Sequence, residues 1–338
     1  MLRRSIVSLS LAMLAMLATA AAVPAGAQQQ WKMGSLMQPP TFGATQDDEL
    51  LATIGKSTGG KLSVERQFVG NEQEMVQQVA RGRLQMGATS AFGAGVAVPD
   101  ATVVSLPYVW SSDAERRYVT DKFVFPLMKK MFAEKGLELL AINEAGYNGV
   151  FCKAPCASPA AIKGIKARVS PAAASKLFWQ SLGANGVALP ISELWPGLEQ
   201  NLVVAGDLPF PFYATTPGAK SAPNFVTTQH LHHPWLYFVN KAQWDALPED
   251  QRKAIVAGLP ASNEVRDRWF ADEKKKLDAF SAAGGKVAIL NDAQRAEWQK
   301  LVEPGLPELV KTMGPGAQEL FGEILKGKKE FAEKKGKG

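Results

Sequence analysis

The sequence predicts an α/β protein in two lobes, each a mixed, mostly parallel sheet flanked by helices. Three observations lead there. Between Lys163 and Asp207, short β-branched runs alternate with helical stretches as strand–helix–strand–helix–strand. The same alternation runs from Leu36 to Ile142. About 310 residues remain after the first 27, enough for two domains of ordinary size.

The chain opens on a targeting pattern. Arg3 and Arg4 precede an apolar run from Ile6 to Ala22, and Ala25-Gly26-Ala27 offers a small-residue cleavage site before Gln28. No later stretch reaches the roughly 20 apolar residues of a spanning helix. Without the two arginines the formal charge falls from +6 to +4. Part of that excess lies in Lys328, Lys329, Lys334, Lys335 and Lys337, which are expected to form a solvated basic tail over 326–338. So mild a balance implies no nucleic-acid partner.

A first strand is expected to close at Leu36–Gln38, where Pro39-Pro40 breaks it. A helix then runs to Lys56 and stops at Gly59-Gly60. Leu62, Val64 and Phe68 keep strand parity. Asn71 and Glu74 resemble a capping box opening a helix with Met75, Val76 and Val79 on one face. Leu84–Ala88 and Val103–Leu106 are expected strands, separated by a small-residue loop whose backbone can approach a ligand closely. A helix over Ala114 to Lys135 and a strand over Leu137–Ile142 complete this half. Glu144 to Asn148 then carries the chain into the second lobe.

There Ile165–Val169 is a strand, and Ser170-Pro171 supplies a cap and a first-turn proline. The helix that follows ends at Gly183. Val187–Leu189 leads to a helix opening at Ser192, and Val203–Ala205 is the third strand. Phe225–Thr228 and Trp235–Asn240 are further strands, the latter back in the first lobe. Asn263 to Phe280 is a long amphipathic helix.

Arg168 stands near the carboxyl end of a strand, where ligand crevices form in open α/β sheets. Its planar, permanently charged fork matches a carboxylate with two parallel hydrogen bonds. Cys152 and Cys156, the two cysteines of an exported chain, are expected to pair as a disulfide. His230, His232 and His233 cluster, yet no cysteine is near, so packing is expected rather than a metal. No nucleophile elbow, phosphate loop or His-Glu-x-x-His is present, and neither catalysis nor a cofactor is expected.

Several motifs in order, Thr58-Gly59-Gly60, Gly70-Asn71-Glu72, Leu106-Pro107-Tyr108, Lys163 to Val169, Leu182 to Asn185 and Trp244 to Pro248, carry a wider likeness. With them the mature chain resembles the substrate-binding proteins of tripartite ATP-independent periplasmic (TRAP) transporters, the dicarboxylate-binding receptor family. The resemblance implies a clamshell: 28–144 with 235–270 as the first lobe, 145–234 with 271–325 as the second, braced by the long helix. It implies that Arg168 holds a ligand carboxylate. Glu72, Ser90, Tyr108, Trp195 and Asn148 stand at positions that face the cleft in the family, whereas Trp235 is expected in the core. It implies a periplasmic location and delivery to integral membrane permease subunits.

Two departures bear on the ligand. Where many members have Gly-Phe-Arg, this chain has Gly146-Tyr147-Asn148. Where members carry polar residues after Val-Asp-Gly, this chain has Leu208 and Pro209, with Phe210 and Phe212 behind. A cation is lost and apolar groups are gained, which favours a monocarboxylate with an apolar or aromatic body. A secreted enzyme or a sensor receptor for small acids is the alternative.

Overall fold

The computed structural model describes residues 28–336, so the expected targeting segment lies outside the described residues. The strands are β1 (Gln29–Ser35), β2 (Leu62–Phe68), β3 (Met86–Ser90), β4 (Leu137–Cys152), β5 (Lys166–Val169), β6 (Asn185–Ala188), β7 (Ala205–Pro209), β8 (Asn224–Val226), β9 (His232–Asn240) and β10 (Lys286–Ala288). In the first sheet β2, β1 and β3 are parallel, and β9 and β4 join antiparallel. In the second, β7, β5 and β6 are parallel, as the alternation over 163–207 predicts. The other edge of β4 pairs β8, which pairs β10.

β4 belongs to both sheets. Its first half pairs β9 and its last residues pair β7 and β8, with a register shift between Glu144 and Tyr147 where the chain crosses over. The sequence predicts a strand only to Ile142, because local parity cannot show that one strand serves two sheets. The helix Ser262–Ala282 packs on β4, on the helix Phe42–Ser57 of the first half and on the turn Phe210–Tyr213 of the second, so it braces both lobes. Apolar clusters lie on both faces of each sheet. Cys152 and Cys156 form a disulfide in the second-lobe core.

Several expectations are corrected. Val103–Leu106 lies not in a strand but in the 3-10 turn Pro99–Ser105 and its cap, since a short apolar run does not distinguish the two. The helix expected over Ala114 to Lys135 is split by a π-turn, Thr120–Val124, ahead of Pro126, which has no N–H to donate. The helix after β5 starts at Ala173 with Ala172 before it, and Ser170 is part of the preceding turn, its Oγ accepting from Ala172 N at 3.4 Å. Asn71 caps its helix through Glu74 N at 3.1 Å, but Glu74 turns to Gln78, so the reciprocal half of the box is missing.

The largest correction concerns the end of the chain. Residues 326–335 are part of the helix Pro315–Lys335 rather than an irregular tail, with Lys329, Lys334 and Lys335 exposed on it. Leu320 and Ile324 are fully buried in the first-lobe core, together with Leu306 and Val310. Gly327 sits against Val119 and Phe123, and Lys328 Nζ donates to the Val109 carbonyl at 2.7 Å. Residues 306–325 thus pack on the first-lobe core, where the helix Ala173–Ser181 of the second lobe also meets the first of them.

Candidate ligand-binding cleft

The carboxyl ends of β3, β5 and β7 converge on a chamber of about 110 Å³ between the sheets, lined by Arg168, Asn148, Glu72, Ser90 and Leu208 among others. It is continuous with an outer cleft of about 400 Å³, which shares Glu72, Phe92, Arg168, Ser170 and Ile191.

Arg168 is 5 % exposed. Its Nε donates to the Leu189 carbonyl at 2.9 Å, which fixes the guanidinium plane. Among the described residues no protein group accepts from its two terminal nitrogens, and no carboxylate is within ion-pairing distance. Burial lowers its pKa, and the negative fields of Asp207 and Glu72 oppose that. An arginine nevertheless keeps its charge.

Asp207, midway along β7, exerts the larger of the two negative fields at Arg168. Its Oδ1 accepts from Trp179 Nε1 at 3.0 Å, and its Oδ2 accepts from Asn148 Nδ2 at 2.5 Å and His230 Nε2 at 3.3 Å. Burial would raise this carboxyl, but His230, Arg168 and Trp179 outweigh it and hold it at about 2. Glu72 faces Arg168 from the first lobe. Thr89 Oγ1, Ser90 Oγ and Ser90 N all donate to one oxygen, Oε2, at 2.7, 2.9 and 3.3 Å. Burial pushes Glu72 up, against those donors and Arg168. A Cβ at Gly93 would fall 2.6 Å from that oxygen, so glycine is required there for the loop to close on Glu72.

The rest of the wall is largely apolar: Met37, Phe92, Leu208, Phe212, Trp235 and Trp269. Trp235 is both core and wall. It is 3 % exposed, and its Nε1 donates to the buried Asp47 at 3.2 Å, which also accepts from Tyr237 and Ser35. Burial raises Asp47 to about 6 despite those donors.

Of the residues expected from sequence, Arg168, Asn148, Glu72, Ser90 and Leu208 come together here, and Tyr108, Trp195 and Phe210 do not. Tyr108 is a latch between the lobes: its N donates to the His230 carbonyl at 2.8 Å and its hydroxyl to the Thr228 carbonyl at 3.4 Å. Trp195 packs on Phe151 and over Gly218. Phe210 is fully buried between Phe225 and Phe280, because β7 ends at Pro209 and the following turn brings Phe212 to the chamber instead.

Sequence reasoning missed Asp207, His233 and Trp269. A position right before Leu208 could have flagged Asp207. Trp269 is carried in by the bracing helix and has no local signal. The histidines have packing roles: His230 stacks on Phe178 with centroids 3.6 Å apart, His232 bonds Glu144 at 2.8 Å, and His233 stands edge-on to Phe92. Among the described residues no cluster of three or more potential ligands could hold a metal ion.

The model of the bacterial extracellular solute-binding proteins, family 7, matches residues 40–312. The chain belongs to this family. Among family 7 relatives, the 2,3-diketo-L-gulonate-binding periplasmic protein of Escherichia coli is 27 % identical over 67 % of this chain and 69 % of its own length. The C4-dicarboxylate-binding periplasmic protein of Rhodobacter capsulatus is 25 % identical over 82 % and 84 %. A TRAP periplasmic solute-binding protein from Desulfovibrio salexigens, solved with orotic acid, superposes with a TM-score of 0.83 at 21 % identity, over 90 % of this chain and 99 % of its own. Another from Roseobacter denitrificans, with β-D-glucuronate bound, gives 0.80 at 24 %, over 88 % and 99 %. The family 7 fold is the two-lobed α/β architecture described above.

Proposed function

We propose that this family 7 protein is the periplasmic receptor of a TRAP transporter, closing on an organic acid and handing it to the integral membrane permease. The supporting observation is Arg168, a cation nine-tenths buried whose fork is committed to no protein carboxylate. A ligand carboxylate supplies that partner, with Glu72, Ser90, Asn148 and Leu208 as further contacts. The targeting pattern at residues 1–27 supports export.

The ligand is a monocarboxylate with an apolar or aromatic body. The wall of Leu208, Phe212, Trp235 and Trp269 supports this, as does an uncharged amide at Asn148. Orotic acid, bound by one structural neighbour, joins a flat ring to one carboxyl group, whereas the β-D-glucuronate of another carries several hydroxyls. Calorimetry with orotate, phenylacetate, glucuronate and succinate tests the reading, and a preference for succinate sinks the monocarboxylate. Arg168→Ala is expected to cost about 3 kcal/mol of binding by leaving a buried carboxylate unpaired, roughly a hundredfold. Unchanged affinity would remove Arg168 from the site.

A further inference from the structure

Two buried polar atoms of residues that line the chamber have no hydrogen-bond partner among the described residues: Asn148 Oδ1 and Trp269 Nε1. Both side chains belong to residues only 3 % exposed. The orientation of the amide is set by its neighbour. Asn148 Nδ2 donates to Asp207 Oδ2 at 2.5 Å, and an ionised Asp207 can only accept, so a reversed amide would set oxygen against oxygen. What Asn148 leaves over is therefore an acceptor, and what Trp269 leaves over is a donor.

The two side chains share a neighbour, Pro209. Asn148 is paired with Pro209 across the β4–β7 ladder. A Cβ at Gly146 would come 2.7 Å from Trp269 Nε1 and 3.7 Å from Pro209 Cβ, which places the indole N–H beside the same proline. Gly146 has φ +83°, and no larger residue leaves that N–H its place. Arg168 is on β5, separated from β4 by β7, and the register sets Asn148 about three residues further along the strands, so the two anchors are about 14 Å apart at the backbone.

Resting on the reading that Arg168 holds a carboxylate, we propose that Asn148 and Trp269 recognise a hydroxyl at the other end of the ligand, so that the preferred class is hydroxylated acids with an apolar or aromatic body. A hydroxyl is the smallest group that donates to Oδ1 and accepts from Nε1 together. An ether satisfies only the tryptophan, and a hydrogen or methyl group satisfies neither. A buried donor and acceptor left unmet count against every ligand that lacks such a group.

The experiment is calorimetry of the intact mature protein with matched acids: phenylacetate, 4-methoxyphenylacetate and 4-hydroxyphenylacetate, and hexanoate with 6-hydroxyhexanoate. The expected result is that the hydroxy acid binds at least about tenfold tighter than its unsubstituted counterpart in one of the two series, and in the aryl series also tighter than the methoxy acid. In Trp269→Phe, which keeps an aromatic ring and loses the N–H, the ratio of the two affinities is expected to fall toward one. Equal affinity within both pairs overturns the hydroxyl inference and leaves the carboxylate reading standing. An unaltered ratio in Trp269→Phe also overturns it as stated. A panel in which no acid binds overturns both.

Discussion

At the scale of single residues, two groups of buried charge bear on the cleft and on the joint between the lobes. One is in the cleft, where Arg168 and Asp207 stand near each other without touching. The other is at the crossover, where Glu144 accepts from Gly146 N at 2.7 Å, His232 Nε2 at 2.8 Å and Arg116 Nη2 at 2.8 Å. Burial would raise Glu144, but Arg116 and His232 outweigh it and hold it at about 2. Burial, with Arg116 adding to it, pushes His232 down to about 4. A histidine that binds its proton less well folded than unfolded has full stability above about 6.5 and loses it as pH falls toward 4, because the unfolded chain takes up the proton first. His232→Gln keeps a donor for Glu144 and removes this titration. The stability advantage of the wild type over that variant is expected to shrink by about 2 kcal/mol between pH 7 and pH 5, read by urea unfolding. A gap independent of pH would show that His232 titrates alike in both states. Arg168 was legible in the sequence as a cation at a strand end. His232's partner was not, since Glu144 reaches it only through the β4–β9 ladder.

Among the elements, β4 and the final helix carry most of what local patterns did not reveal. Parity marks β4 as a strand, but its length comes from successive partners, β9 and then β7 and β8. The final helix looks in sequence like a charged solvent-facing stretch, because lysines and glutamates dominate it from Lys326 onward. Leu320, Ile324 and Gly327 lie on the first-lobe core. Ile324→Ala is expected to cost about 2–5 kcal/mol through lost burial and a cavity. A change near zero in a denaturant titration would show that this part of the helix does not pack on the core.

For the whole molecule, the cleft draws on both lobes. Ser90 comes from the end of β3, Glu72 from the first turn of the helix after β2 and Arg168 from the second sheet, while β4, β9 and the bracing helix join the halves. A ligand touching both sides favours closure only by the difference in its affinity for open and closed forms. Small-angle X-ray scattering is expected to show a smaller radius of gyration when a bound acid is added to the wild type. The Arg168→Ala protein is expected to stay unchanged at the same concentration. An identical radius with and without acid in the wild type would argue against closure around the ligand.

By itself the sequence determined the alternating α/β order, the parallel β5–β6–β7 unit, the family and the strand-end arginine. Each of these is local: a period of two or 3.6, a cap, a motif of a few residues, all fixed by neighbours along the chain. Only the tertiary structure decided which wall residues meet Arg168, that Phe212 rather than Phe210 faces the chamber, and that Trp269 enters from a distant helix. Those outcomes depend on how remote segments pack against one another, and a side chain's direction across a cleft leaves no periodic trace in its own stretch of sequence.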